Sequence, residues 1–436
     1  MDKGRAKEII KKLTSYTKYY SVVNIRGSEE GVTRFANSEI SQNINKSDIS
    51  ITLTLYDGKK QADCSTNVLD DEGLKQLAEK AETLLSSAPE GEHSHFDWKP
   101  EGLNQWINED LSTAYNAKGR AEAVKKGVES LASGFTAAGA LILEKKIAAF
   151  GTGANEDVLF ADLDNVQFNV VVTNAASNAD GGGEAISYKN DLDIQGAFTK
   201  AYDKAQRGSG AVTLDGGEYQ VLLSPQALGD LMFFTAYSLN AKRVGDGLSF
   251  TSGITGNQDF GKNITVNDNV NDKRVFPWYF DYEGNKRQAI SLIDKGIVKN
   301  LLHDNKTAQK VGAVVTGHAM SNKGYGGFPL HAVMDGGTAS KEEMIKSIKK
   351  GIYISEFHYS NFINPRSLLV TGLTRNGTFL IEAGQLTKPV NTMRFTQSLL
   401  EAFKKVTALS KEQEVLNAGG WAAVMPYAVV EGFCFP

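Results

Sequence analysis

Cysteine is scarce in this chain. Cys64 and Cys434 are the only two in 436 residues, too few for the disulfide framework of a small secreted scaffold. No apolar run approaches the roughly 20 residues needed to cross a bilayer, so no membrane-spanning helix is expected. The opening MDKGRAKEIIKKL lacks the apolar stretch of a signal peptide, which makes a cytoplasmic location the expectation. Positive charge is not in excess either. The net charge of −4 leaves no electrostatic footprint for nucleic acid, so neither nucleic acid nor membrane is expected as a direct partner. Proline is rare, 9 against 43 glycines, which favours tight turns and hence much β structure. Histidine is rare too, with 6, and the patterns HExxH, CxxC, GxSxG and GxxxxGKS/T are all missing.

What is present is an ordinary globular composition, 41% hydrophobic and 22% charged, on a chain long enough for two domains of about 200 residues each. Residues 1–90 and 115–208 read as two α+β units, each of strands with a closing helix. In the first, Tyr19 to Arg26 and Val32 to Ser38 are expected as a hairpin around a turn at Gly27 to Gly31. Ile49, Ile51, Leu53 and Leu55 alternate with polar residues as in a half-buried strand. Asp57-Gly58 signals the hairpin turn after it, and Asp70 caps a helix. In the second unit, strands are expected at Ala140 to Phe150, Asp157 to Ala161 and Val166 to Thr173. There Ser177 to Gly183 reads as a flexible connection, and a phased helix starts at Ile194. The small, polar segment Gly208 to Gly217 marks the division between an N-terminal α+β domain, 1–215, and a β-rich C-terminal domain, 216–436.

Ser224 to Asn240, SPQALGDLMFFTAYSLN, organises the second half. Ser224 reads as an N-cap with Pro225 in the first turn, where the missing N–H is harmless. Leu228, Leu231, Met232 and Leu239 fall on one face and Phe233, Phe234 and Tyr237 cover much of the rest, so the helix is expected to be buried nearly all round. No His, Glu or Cys lies between Leu223 and Val244. Further on, Ser340 and Glu343 form a capping box with Gly351 expected to end the helix. Asn376-Gly377 reads as a hairpin turn, and Phe395 to Phe403 as the last helix.

Candidate chemistry is thin. His93 and His95 in EHSH could share a metal but lack a third ligand at motif spacing, and a solvated loop explains them as well. His303, His318, His331 and His358 are scattered singly, the usual pattern of structural histidines. The glycine cluster Asn322 to Gly337 has no strand–loop–helix frame for phosphate, and reads more simply as a loop that lets another backbone approach. Exposed strand edges could accept an extended peptide through main-chain hydrogen bonds alone.

From about Val22 the order of segments resembles the TldD/PmbA (TldD/TldE) family, historically labelled modulators of DNA gyrase. The resemblance is carried by TRFANSEISQN, LTLYDGKKQADCST and LDDEGLKQLAEKA in the first half. In the second half it is carried by PWYFDYEGNKRQAISLIDKGIVKNLLHDNKTAQKVG, TGHA at Thr316 to Ala319, MDGGTASKEEMIKSIKKGIYISEF and LTRNGTFLIEAGQLTKPVN. It implies a two-domain α+β fold, a cytoplasmic location and a link to peptide proteolysis. Active TldD-type members carry HExxxH on the central helix, where two histidines hold a metal and the glutamate activates water. Here the matching helix reads Phe233-Phe234-Thr235-Ala236-Tyr237-Ser238, and Cys434 does not stand in the family's cysteine context. The resemblance therefore implies the TldE/PmbA type, a subunit with no catalytic residue, metal or other cofactor of its own. Such a subunit pairs with a TldD-type metallopeptidase, or forms a homodimer when alone, and shapes a chamber for peptide. The alternatives are a stand-alone peptidase built on His318, His331 or His358, and a regulatory protein without protease activity. A peptide groove is expected near the central helix and the glycine loop, with Tyr237, Asn322, Tyr325, His358 and Phe362 as its candidate residues.

Overall fold

The computed structural model describes residues 1–91, 98, 106–107, 110–251, 256–276, 278–320, 325–417 and 422–436. The first half contains α1 (Lys3–Ser15), β1 (Tyr20–Ala36), β2 (Glu39–Asp57), β3 (Lys60–Thr66) and α2 (Asp71–Ser87). These are followed by β4 (Trp106–Ile107), α3 (Ala117–Glu129), β5 (Phe135–Thr152), β6 (Leu159–Asn174), β7 (Ala179–Ser187) and α4 (Ile194–Arg207). Its strands form one sheet in the order β3-β2-β1-β5-β6-β4, with β7 also paired to β6. Side chains alternate across it. Ile147 and Ala149 of β5 pack with α1 and α2, whereas Ala148 and Phe150 pack with Trp278 and Phe280 of the second half.

Several expected breaks in this sheet are continuous strand. Gly27 to Gly31, expected as a turn, runs straight through, because β2 on one side and β5 on the other satisfy its backbone from Gly27 to Gly31. The reversal comes instead at Asn37 and Ser38, which take the positive φ values of 50° and 65°. The strands expected at 157–161 and 166–173 are one strand, β6, which begins at Leu159 and runs through both. The stretch Ser177 to Gly183 is not a flexible connection: from Ala179 it is β7, paired with β6. Its glycines have a packing reason, since a Cβ on Gly181 or Gly183 would lie 2.0 Å from the carbonyl oxygen of Ala201 or Ala197 on α4.

The second half contains β8 (Gly217–Leu223), α5 (Pro225–Tyr237), α6 (Ala241–Gly245), β9 (Val266–Asp268), β10 (Ile290–Asp294), β11 (Ile297–Val298), α7 (Asn305–Val311) and β12 (His331–Met334). It continues with α8 (Lys341–Ser347), β13 (Lys350–Asn364), β14 (Leu369–Glu382), β15 (Gln385–Pro389), β16 (Arg394–Ser398), α9 (Leu399–Lys404), β17 (Val406–Asn417) and β18 (Ala422–Phe435). The second sheet runs β11-β10-β9-β12-β18-β8-β13-β14-β15, with β16 on β14 and β17 on β18. The fold is thus mixed α+β with sheet predominating.

Helix α5 lies on this sheet, with 9 of its 13 residues buried. Leu228, Leu231 and Met232 join Val221, Ile354, Phe403 and Met425 in the main core. Each fully buried side chain of this kind contributes about 1.5–3 kcal/mol. Asn376-Gly377 does not make a hairpin turn: both residues have positive φ, yet β14 continues through them as a bulge opposite β13. Gly351 does not end α8, which stops at Ser347, but lies in β13 where a Cβ would approach Gln220 O to 2.7 Å. Phe395 is strand, paired to Gly372, and α9 begins only at Leu399.

Candidate functional site

The first turn of α5 opens onto a cavity between the two sheets. Ser224 leaves β8 with its backbone N–H donated to Ile354 O at 3.0 Å. Its hydroxyl accepts the Ala227 N–H at 3.1 Å and donates to the Ser355 carbonyl. Pro225 then holds the first helical φ without needing a donor. The cavity, about 420 Å3, is walled by β7 and α4 on one side and by α5, β13, α8 and β17 on the other.

Glu184, Lys204 and Glu356 line it, and Asp230 of α5 lies close to the two glutamates. Asp230, in the second turn of α5, accepts the Phe357 N–H at 2.9 Å and the Gln226 side-chain amide at 3.0 Å. Glu356 of β13 accepts the side-chain amide of Asn376, which the β14 bulge carries into place. Lys204 of α4 donates to Gly182 O at 2.8 Å and to the Ser355 hydroxyl. Glu184 of β7, an exposed residue, also lines the cavity.

Burial dominates the electrostatics of this cluster. It pushes the Asp230 carboxyl up to about 8, with Glu356 and Glu184 adding to the rise against the bond from Phe357. Crowding by surrounding protein, then the nearby Glu356, raises the Glu184 carboxyl, although the residue itself is exposed. Glu356 is raised too, although Lys204 and Asn376 offset part of the effect. Burial lowers Lys204 to about 8 despite Glu356 beside it. Two further lysines line the cavity: Lys200 pairs with Glu414 at 2.9 Å, and Lys341 lies over the rings of Tyr353 and Tyr427 at 5.5 and 5.0 Å.

The expected groove residues lie mostly at the other end of α5. The Arg243 guanidinium sits 4.4 Å from the Tyr237 ring and 5.6 Å from that of Phe362, bringing these two candidates together. Phe234 meets Phe362 edge to face at 4.9 Å, and Phe233 stacks on Tyr237 at 6.0 Å. Tyr325 joins through its backbone, its carbonyl accepting the Asn240 amide at 2.7 Å while its own ring is exposed. His358 belongs to a separate depression, its Nε2 2.9 Å from Arg375 Nη1. Asn322 lies outside the described residues, as do His93 and His95.

His318 and His331 do come together, around Asp268, but solvent does not reach them. His318 Nε2 is 3.2 Å from Asp268 Oδ1 and His331 Nδ1 3.8 Å, with every one of these side chains 0% exposed. Burial alone would raise Asp268; the paired Arg287 and then His318 hold it well below the usual carboxylate range. His358 is not part of this group.

A metal fits neither place. A catalytic zinc needs a set of His, Cys or carboxylate donors with an open position. Helix α5 offers only Asp230, and the nearby carboxylates share their space with the Lys204 ammonium. Arg287 occupies the corresponding place beside Asp268, His318 and His331. Among the described residues no group of three or more His, Cys, Asp or Glu is arranged to hold a metal ion.

Asp230, Glu184, Glu356 and Lys204 are missed when the sequence is searched for His, Glu and Cys on the central helix. Asp230 does leave a signal, a lone carboxylate on a helix otherwise apolar nearly all round. The other three are single charged residues in unremarkable segments, and only the fold assembles them.

Comparison with known proteins agrees with this architecture. Residues 216–435 match the PmbA/TldA metallopeptidase C-terminal domain, and residues 23–85 match PmbA/TldA metallopeptidase domain 1. An uncharacterized protein of Methanocaldococcus jannaschii is 26% identical over 232 residues, which cover 52% of this chain and 53% of that one. The chain thus matches only about half the length of that relative. The crystal structure of TldE from Thermococcus kodakarensis superposes with a TM-score of 0.86 at 17% identity, covering 99% of each chain. A protein of Thermotoga maritima described as a modulator of a DNA gyrase gives 0.86 at 20% identity, covering 99% of this chain and 100% of that one. At such identities the two structures speak for the fold alone. With the domain match over half its length, the chain belongs to the PmbA/TldD family of metallopeptidase-related proteins.

Proposed function

We propose that this chain is the non-metal subunit of a TldD/TldE-type peptidase assembly, in which a separate TldD-type chain supplies the metal. Its part is to shape the chamber that receives peptides or unfolded segments. The observation that carries this reading is the central helix. Where an active relative needs imidazoles and a glutamate, α5 presents Phe233, Phe234 and Thr235, two of them buried, and its single carboxylate is held by the Phe357 N–H and the Gln226 amide. The likeness of the whole chain to a TldE structure supports the same reading.

The test is co-expression with a TldD-type chain that carries HExxxH. The two chains are expected to co-purify, and the pair to cleave peptides in a chelator-sensitive way while this chain alone does not. Robust, chelator-sensitive peptidase activity of the isolated chain would overturn the proposal.

A further inference from the structure

We infer that the depression beside His358 is an oxyanion site, in which Arg375 and His358 hold a carboxylate or phosphate group. This second cavity, about 560 Å3, lies between the turn leading into β7 (177–180), the segment around Gly208 and Gly210, His358 of β13, β14 and residues 389–392. Its volume is that of a small-molecule site. Arg375 donates to His358 Nε2 at 2.9 Å, and among the described residues its guanidinium has no carboxylate partner. Glu356 stands opposite Arg375 on β13 and feels its charge, but takes its hydrogen bond from Asn376 and lines the other cavity. Asp180, the single carboxylate on this wall among the described residues, already accepts the Thr173 hydroxyl at 2.6 Å.

An arginine only donates, so His358 Nε2 is the accepting nitrogen and the neutral ring carries its proton on Nδ1. Two donors therefore lie side by side, the guanidinium N–H groups not spent on His358 and an Nδ1–H with no hydrogen-bond partner among the described residues. Slight burial and then the Arg375 charge lower the His358 pKa, so the ring is neutral at neutral pH. The guanidinium fork matches the paired oxygens of a carboxylate or phosphate, and the imidazole N–H beside it suits a further oxygen. The backbone is shaped around the pair. A bulge between His358 and Asn361 holds Tyr359 at φ 52°, with its ring 74% exposed and lying 4.2 Å from the His358 ring. A tyrosine in the left-handed region is uncommon, and such strain gathers where ligands are held. Thr374, Thr378 and Thr392 add hydroxyls to the wall. The site goes beyond the chamber reading and does not rest on it.

The experiment titrates the purified full-length chain by calorimetry, at ionic strength held constant with chloride, with inorganic phosphate, N-acetylalanine and N-acetylalanine amide. At least one of the two anions is expected to bind about tenfold or more tightly than the neutral amide, and Arg375→Gln to erase that difference. Tighter binding of phosphate assigns the site to phosphate groups and tighter binding of N-acetylalanine assigns it to carboxylates; either upholds the oxyanion site. Arg34→Gln, which removes an exposed arginine on the other sheet, is expected to leave the affinity unchanged. If Arg375→Gln does not fold, His358→Ala is read the same way, with a loss of about threefold expected. No preference for either anion over the amide, or a preference that survives Arg375→Gln, would overturn the proposal, as would an equal loss in Arg34→Gln. A chain that binds the anion but recruits no TldD-type partner would sink the subunit reading and leave this one standing.

Discussion

Asp268 and Arg287 form an ion pair at 2.8 Å in the interior of the second half, with side chains 0% and 1% exposed. Both charges have left water, so each depends on the other. Arg287→Met is expected to cost about 3–5 kcal/mol, because it strands a buried carboxylate between two histidines. Urea denaturation at neutral pH measures this, and a loss below 1 kcal/mol would show that the pair is not the anchor described.

Around the same carboxylate, acid is expected to destabilise the fold in two steps. Burial pushes His331 from its ordinary 6.5 down to about 4, so the unfolded chain takes up this proton first and stability falls as pH drops from 6.5 towards 4. Asp268, held well below 3.8, adds a further loss at lower pH still. His331→Gln should flatten the upper part of this profile and leave the lower part, as read by midpoints of chemical denaturation across pH 3.5–7.5.

The cavity cluster produces the opposite slope. Asp230 is raised from 3.8 to about 8, so the folded chain holds this proton more tightly. Its contribution is complete below about pH 4 and is lost as pH rises towards 8. Lys204, lowered from 10.5 to about 8, restores stability between pH 8 and 10.5. Asp230→Asn is expected to reduce the downward slope between pH 5 and 8 by up to about 1.4 kcal/mol per pH unit, the value of one proton fully released. An unchanged slope would mean that Asp230 is already ionised in the folded chain at pH 5.

Gly284 has φ +77°, and a Cβ there would come 2.4 Å from the ring of Phe150 in the other sheet. Its carbonyl accepts the Trp98 indole N–H at 2.7 Å, so the residue ties the two halves together. Gly284→Ala is expected to cost roughly 2–3 kcal/mol from strain and displaced packing. A drop in thermal midpoint is the readout, and a wild-type midpoint would refute the tight approach.

Local signals made parts of this molecule legible in advance. Ser224-Pro225 caps a helix whose apolar circumference announces its burial, and Asp57-Gly58 and Asp70 lie where their conformational preferences place them. Signals that depend on neighbours misled. GSEEG looks like a turn because it is small and polar, yet a strand hydrogen-bonded on both sides accepts it. Asn376-Gly377 has hairpin chemistry, but the partner strand continues past it and converts the turn into a bulge. The groove candidates Tyr237 and Phe362 meet through Arg243, a contact between residues far apart in sequence. The acid cluster was least legible, since Glu184, Lys204, Asp230 and Glu356 are brought together only when both sheets are complete.

The strand order of the second sheet also constrains how the chain can be made. β8, the first strand of that half, lies between β18 and β13, and residues 217–223 are synthesised long before residues 422–435. Val221, Leu222 and Leu223, wholly inside the finished protein, must wait on the ribosome without their neighbours while the first half folds. The centre of this sheet is therefore the last part to close, and a nascent chain halted before β18 leaves Val221, Leu222 and Leu223 of β8 without that neighbour, open to chaperones and to other chains.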